Sequence, residues 1–463
     1  MAVAALAPPL AARAQNVSRP ETQVPGQIQQ EIGGVARGST AAAQGGQAGE
    51  LESLTVDFGD VLKNPDDVGL NFRLALTRIR EGRLELAAAA LQRVLLVAPD
   101  QAGVRLLYGI VLYRLDDLVE AEAELNRVKA SNPPPETARI ADEYLDRITR
   151  ARRAFHGAAS FSFGPTYDHN RNAFPNSGQA LLQGVQLPIS GNRASDVGWT
   201  GIAGAEMSYD PGRQRLREIF ANASLLNISQ DRVHSLDTKG AVGEAGVVYH
   251  FDEFDARPVL FGQAIDVGHH GYLNEGGIKL GATRRLGPDL QGFAEAKVDR
   301  QNYLDSMALP VNHELSGNEF GGTLGASYSF NPTLSVSGSY QPSYFDATTS
   351  FNSYWSHMFS LNASYVLPWH SFVLANTSAE FRSYGDPDPF VSSAITRDDH
   401  IYNASITYGI PLDTVWPYDT GASFMQGFIV SFTAAYIRNE SNVINYDWHS
   451  WRAGGLLTKR FEF

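Results

Sequence analysis

From His156 to Phe463, apolar and polar side chains alternate in one segment after another, and a period of two admits β-strands and little else. In residues 319–330 one face carries Phe320, Gly322, Leu324, Ala326, Tyr328 and Phe330, and the other Glu319, Gly321, Thr323, Gly325, Ser327 and Ser329. Leu334, Val336, Gly338 and Tyr340 alternate with Thr333, Ser335, Ser337, Ser339 and Gln341. Tyr402, Ala404, Ile406, Tyr408 and Ile410 alternate with Asn403, Ser405, Thr407 and Gly409. A soluble sandwich alternates in the same way, so alternation alone leaves the surroundings of these strands open.

Three further features select a membrane barrel. The polar face is small and uncharged in many strands, as for a lumen, while aromatics gather at strand ends, as for interfacial girdles. The chain runs through Trp451, Ala453, Gly455 and Leu457 on one face to Phe461-Glu462-Phe463. Phe461 and Phe463 resemble the terminal signal read by the outer-membrane insertion machinery. Lys459 departs from that pattern but falls near the interface, where a charge costs little. The connections also have the right parity. Asp210-Pro211-Gly212-Arg213, Gly287-Pro288, Asn331-Pro332 and Leu367-Pro368-Trp369 are tight, and the intervening connections include the long stretches 169–194, 304–314 and 385–397. Short turns on one side and long loops on the other predict about 14 antiparallel strands over 156–463, with 411–423 a long connection on the short side.

Composition removes other classes. No run of 18 apolar residues exists, and the longest candidate, Leu84–Pro99, is broken by Glu85, Gln92 and Arg93, so a helical membrane span is excluded. The absence of cysteine rules out a disulfide framework and thiolate metal sites. A net charge of −13 leaves no basic stripe for nucleic acid.

Residues 1–14 are small and apolar, and Ala12-Arg13-Ala14 before Gln15 fits a small-x-small cleavage site. They read as the tail of a signal peptide, or alternatively as an Ala/Pro-rich leader. Residues 15–65 are rich in Gln, Gly, Ala and Ser and are expected to form a disordered linker.

Residues 66–155 change to helical spacing and repeat. Ala75 and Gly109, Ala87 and Ala121, Leu91 and Leu125, and Pro99 and Pro133 are each 34 residues apart. Small residues stand where paired helices must approach, and each proline stops a second helix. The pattern resembles two tetratricopeptide repeats and a following helix, although the usual Trp at the start of the repeat is absent. The resemblance implies a substrate groove lined by Phe72, Leu76, Ile79 and Arg80 of the first repeat and by Leu106, Ile110, Tyr113 and Arg114 of the second. Arg80 and Arg114 would suit a carboxylate or an acidic segment, and equally suit solvated surface charges.

The fold class expected is therefore α+β multidomain: N-terminal tetratricopeptide-like helical repeats, then a C-terminal antiparallel transmembrane β-barrel. No G-x-S-x-G elbow, H-E-x-x-H helix or phosphate-binding glycine loop occurs, so no enzyme and no cofactor are expected. His313-Glu314 lacks a second histidine, and His269-His270 would point to opposite faces of a strand. The acidic stretch 385–399 reads as a solvated loop or a divalent-cation site, and no metal is assigned.

Helical repeats ahead of a barrel of about 300 residues resemble the surface lipoprotein assembly modulator (Slam) family. The likeness extends to Phe161-Ser162-Phe163-Gly164-Pro165-Thr166-Tyr167-Asp168-His169-Asn170-Arg171-Asn172, a first strand entering an Asp/Asn-rich turn. It extends also to Arg382-Ser383-Tyr384, an acidic loop, and Arg397-Asp398-Asp399-His400-Ile401-Tyr402. The resemblance implies an outer-membrane translocator with its repeats in the periplasm. Its implied partners are an exported lipoprotein or secreted protein, a periplasmic chaperone, outer-membrane lipids and the barrel-insertion machinery. An exopolysaccharide export pore is the alternative, which should have more repeats and an aromatic and acidic lumen. A passive porin would make the repeats superfluous.

Overall fold

The computed structural model describes residues 58–212, 215–415 and 425–463. The signal-peptide reading of residues 1–14 and most of the linker expected at 15–65 lie outside them. The described chain forms two units, a helical one ending at Arg153 and a barrel beginning at Ala154.

The helical unit contains α1 (Phe58–Lys63), α2 (Val68–Arg80), α3 (Leu84–Val97), α4 (Ala102–Arg114), α5 (Leu118–Ala130) and α6 (Pro135–Ala151). Asp67 and Asp117 cap α2 and α5, accepting from Leu70 N at 2.8 Å and Glu120 N at 3.4 Å. Gly82, at φ 73°, makes the turn between α2 and α3. The 34-residue pairs are the contact positions: Ala75, Ala87, Ala121, Leu91 and Leu125 are completely buried. Small residues let the helices approach, and the leucines fill the space between them. Asn71 is buried among them without an unsatisfied amide, donating to Pro65 O and Asp67 O and accepting from Arg93. Helix α1 corrects the linker expectation. Its Val61 is only 2% exposed and joins the helical core, so ordered chain begins before residue 66.

The barrel strands are β1 (Phe155–Asp168), β4 (Asp196–Tyr209), β5 (Leu216–Gln230), β6 (Thr238–His250), β7 (Asp255–Val267), β8 (His270–Arg285) and β9 (Leu290–Tyr303). They continue with β10 (Gly317–Asn331), β11 (Leu334–Ala347), β12 (Tyr354–Val366), β13 (Phe372–Pro387), β14 (Thr396–Pro411), β15 (Phe428–Ser441) and β16 (Trp448–Glu462). Each pairs antiparallel with its sequence neighbours, and β16 closes on β1, giving the 14-stranded barrel that the alternation predicts. A short hairpin, β2 (Gln179–Leu182) and β3 (Val185–Pro188), lies inside the first long loop and is not legible in the sequence.

Register fixes the two faces. Phe320, Leu324 and Tyr328 of β10 stand opposite Val298 and Ala294 of β9 and Tyr344, Tyr340 and Val336 of β11, all on the outer face. Leu260 (65% exposed), Leu225, Ile278, Leu280, Leu324 and Leu361 make a middle belt that nothing among the described residues covers. Aromatics flank it on both sides. Trp199, Trp355, Tyr436 and Trp451 stand toward the long loops, and Tyr209, Tyr328, Phe330, Tyr365 and Phe461 toward the short turns. An apolar surface of this extent is unstable in water and matches a bilayer core between two interfaces. Closure pairs the strand edges that hydrocarbon would leave unsatisfied.

The short-turn end holds residues 210–212 after β4 and the turns at 251–254, 286–289, 332–333 and 367–371, and the other end holds loops at 169–195, 304–316, 388–395 and 442–447. The β7–β8 connection breaks the pattern at the looped end. Gly268 and His269, at φ 57° and 68°, form a tight left-handed turn. The expected long connection on the short-turn side begins with a short helix, α7 (Leu412–Val415), and its residues 416–424 lie outside the described ones.

Candidate functional site

The inner wall of the barrel divides by chemistry. On β8 to β10 it is charged. Lys297 Nζ lies 2.9 Å from Asp299, 3.0 Å from Glu319 and 3.6 Å from Glu275. Gln301 donates to Glu319 at 3.1 Å, and Gln263 donates to Glu275. Lys279 stands opposite Lys297 on the same face and Glu295 opposite Thr323, so two ammoniums meet four carboxylates and the sector is acidic. Nearby, Arg257 lies 3.5 Å from Glu244, which accepts from Asn222 at 2.9 Å. On β13, Arg382 pairs with Glu380 at 2.6 Å and lies over the Tyr354 ring at 4.9 Å.

Elsewhere hydroxyls pair across the wall, and Arg460 of β16 lies 3.3 Å from Glu206 of β4. Ser335 and Ser364 bond across β11–β12 at 2.7 Å, Thr407 and Thr433 across β14–β15 at 2.8 Å, and Ser162 and Thr458 across β1–β16 at 2.8 Å. These groups satisfy one another, so they coat the lumen without holding it shut.

At the looped end two buried clusters organise the rim. In the first, Asp168 at the end of β1 pairs with Arg452 of β16 at 2.7 Å, lies 4.0 Å from Arg171, and accepts from Ser450 at 2.5 Å. Burial pulls the Arg171 guanidinium down from its ordinary value, and the Asp168 charge opposes that shift. Asn170 is 1% exposed; its amide donates to Phe174 O and His449 O at 3.0 Å each. Asp196 accepts from the N–H groups of Arg232 and Val233 at 3.0 and 2.7 Å. The first long loop is thus tied to its neighbours on both sides. Its hairpin reaches further: Gln183 N and Gly184 N donate to Phe390 O and Val391 O, and Leu181 exchanges bonds with Asn445.

In the second cluster, Arg397 pairs with Asp399 at 2.5 Å and lies over the rings of Tyr446 at 3.5 Å and Tyr384 at 4.6 Å. Burial pushes the Tyr446 hydroxyl up to about 12. Ser383 donates to Asp398 at 2.9 Å. Each of the two sequence stretches with a family likeness thus ties part of the rim together, as Thr348, Thr349 and Asn352 do by bonding to Ser316 O and Glu314 O. Three carboxylates of the acidic stretch 385–399 are engaged: Asp399 by Arg397, Asp398 by Ser383, and Asp388 by Phe390 N at 2.9 Å. They do not converge on one point.

The groove expected on the helical unit is corrected in part. Leu106 and Ile110 are each 1% exposed and Ile79 is buried, all within the helical core. Buried there, they offer nothing to a ligand. Phe72, Leu76 and Tyr113 are half-buried against that core. Tyr113 makes an edge contact with Tyr144 of α6 at 5.4 Å, so α6 covers part of this face. Arg80 is exposed, while Arg114 is half-buried beside the Tyr113 ring at 5.9 Å. Phe461 and Phe463 are exposed on the outer face, at the short-turn end of the β1–β16 closure. The charged sector around Lys297 and the rim clusters are residues the sequence did not single out as sites.

The family model for the tetratricopeptide repeat matches residues 63–141. No curated protein matches the chain. Among solved structures the barrel is similar to OmpT, an outer membrane protein of Vibrio cholerae, at 9% identity over 66% of this chain and 98% of that one, with a TM-score of 0.35. It is similar to an anion-selective porin from Comamonas acidovorans at 12% identity over 66% and 99%, TM-score 0.35. It is similar also to a bacterial polysaccharide outer membrane secretin at 13% identity over 65% and 98%, TM-score 0.33.

Proposed function

We propose that this chain is an outer-membrane translocator that helps a lipoprotein or another secreted protein reach the cell surface. One observation carries the reading. A tetratricopeptide unit and a closed 14-stranded barrel with a polar inner wall are parts of a single chain. A passive pore needs no such unit, whereas stacked helical repeats present extended surfaces to peptides. In this reading the short turns face the periplasm, the long loops face outward, and the repeats receive the substrate or its chaperone in the periplasm. The resemblance of residues 161–172 and 382–402 to the Slam family supports it. The barrel-insertion machinery assembles the protein, and the reading assigns no cofactor and no catalytic step.

A second reading, export of an exopolysaccharide, is favoured by the wall itself. Hydroxyls, the carboxylates around Lys297, and Tyr354 and Tyr384 beside their arginines are groups that hydrogen-bond and stack on sugars.

Deletion followed by protease shaving of intact cells separates them. On the first reading at least one lipoprotein becomes protected from the protease. If every candidate stays accessible while surface polysaccharide is lost, the second reading replaces it. The Arg80→Glu, Arg114→Glu double variant tests the repeats: export should fall while the barrel still assembles, and unchanged export would reduce both arginines to surface charges.

A further inference from the structure

The lumen has two unlike walls. On β8 and β9 the inward side chains are long and charged: Lys279 stands opposite Lys297, which lies 3.6 Å from Glu275 and 2.9 Å from Asp299. On β11 to β14 they are short and uncharged. Ser337 of β11 stands opposite Asn362 of β12, followed by Asn376 of β13 and Ser405 of β14. The next row toward the looped rim is Ser339, Ser360, Ser378 and Asn403. Both rows lie on the face away from Leu361 and Ile406, which are exposed on the outer surface. Neither row holds a titratable group or an aromatic ring. One row nearer the rim stands Glu380, and Arg382 holds it at 2.6 Å.

These rows also have hydrogen bonds left to make. Among the described residues the side chains of Ser337, Ser360 and Asn362 bond to no protein group, and all three are half-exposed. Asn376 reaches Ser405, and Asn403 reaches Ser378, at 3.4 Å each. Every hydroxyl and amide here can both donate and accept.

The width of the barrel limits what can use them. Closure of 14 strands, spaced about 4.8 Å apart and tilted by about 40°, gives a backbone diameter of roughly 28 Å, which side chains narrow further. A folded domain of about 100 residues is roughly 34 Å across and does not fit. An extended chain does.

We propose that the β11–β14 wall is the surface along which the exported protein passes as an extended chain. An extended backbone has N–H and C=O groups to satisfy once it leaves bulk water, and this wall supplies acceptors and donors for both. Its side chains carry both signs of charge. A wall with neither sign does not trap them, whereas Lys297 and its carboxylates would. A polysaccharide fits less well, because neither row gives a sugar a ring to stack on. This route rests on the export reading above and adds to it the path and the state of the cargo.

The test uses cells that make the full-length protein together with the lipoprotein that its deletion leaves hidden from protease. The photocrosslinker p-benzoylphenylalanine is placed at Ser360, at Asn362 or, on the charged wall, at Glu295, and heat-modifiable electrophoresis reports folding of each barrel. Ser337 replaces whichever of the first two fails to fold. Light should join the lipoprotein to the Ser360 and Asn362 positions and not to the Glu295 position. Crosslinks from Glu295 alone, or equally from both walls, overturn the route while leaving the export reading in place. So does display of the lipoprotein at the surface with no crosslink from any position. If no lipoprotein depends on the chain and surface polysaccharide does, the export reading fails and this route fails with it.

Discussion

Gly109 occupies a position where its own helix would favour alanine by about 1 kcal/mol. A Cβ there would sit 3.0 Å from Leu125 Cγ and Cδ2 and 3.6 Å from Ala121 O. The second helix of the repeat is therefore docked against bare backbone. Gly109→Val adds a branched side chain that neither Leu125 nor the Ala121 carbonyl can clear without moving α5, at a cost of roughly 1–3 kcal/mol. Thermal unfolding of the full-length protein followed by helical circular dichroism should show the helical transition lowered and the β signal unmoved. An unchanged helical transition would mean that the contact is loose. This contact was legible, because Gly109, Ala121 and Leu125 are repeat positions in the sequence. The fate of Leu106 and Ile110 was not. A helix presents several apolar residues, and period alone does not say which face meets the partner helix and which meets a ligand.

At the scale of elements, the strands were legible and the loops were not. A strand in a barrel has one face toward lipid and one toward the lumen, so its period is forced by its surroundings. The hairpin β2–β3 has no such constraint. All four residues of β3 are exposed, and it is held by backbone bonds to residues 390 and 391 and side-chain bonds to Asn445. Those partners lie about two hundred residues or more away, which no local pattern encodes. The anchor of the first long loop is equally non-local: Asp168 and Arg452 meet only because β1 and β16 close the barrel. Asp168→Ala would leave Arg171 and Arg452 facing each other with their shared carboxylate gone. Removing one partner of a buried ion pair costs about 3–5 kcal/mol. The loss should fall on the loop rather than on the strands, whose ladders are unaffected. Limited trypsin digestion of the folded protein should then cut at Arg171 or Arg193 in the variant and not in the wild type. If digestion is identical, the hairpin contacts hold the loop without the ion cluster.

For the whole molecule the decisive event is closure, because thirteen of the fourteen strand pairings join sequence neighbours in the barrel and the last joins its two ends. That final ladder leaves no room for a side chain at its centre, while at its end the crowding comes from a ring. A Cβ on Gly164 would fall 2.0 Å from Gly455 O and 3.1 Å from Leu456 Cα, both backbone atoms that no rotamer can move. A Cβ on Gly157 would instead meet the Phe463 ring at 2.2 Å, and that ring is exposed and free to swing outward. Two alanine substitutions seven residues apart on one strand should therefore differ sharply. Gly164→Ala forces β1 and β16 apart at the centre of the seam, and the heat-modifiable folded band should be lost or strongly reduced. Gly157→Ala should keep that band and shift only its midpoint. If both variants fold like the wild type, the two end strands have slack that their register does not reveal, and closure is governed elsewhere in the barrel. If Gly157→Ala fails as completely as Gly164→Ala, the Phe463 ring is fixed in place and acts as a latch on the β1–β16 seam.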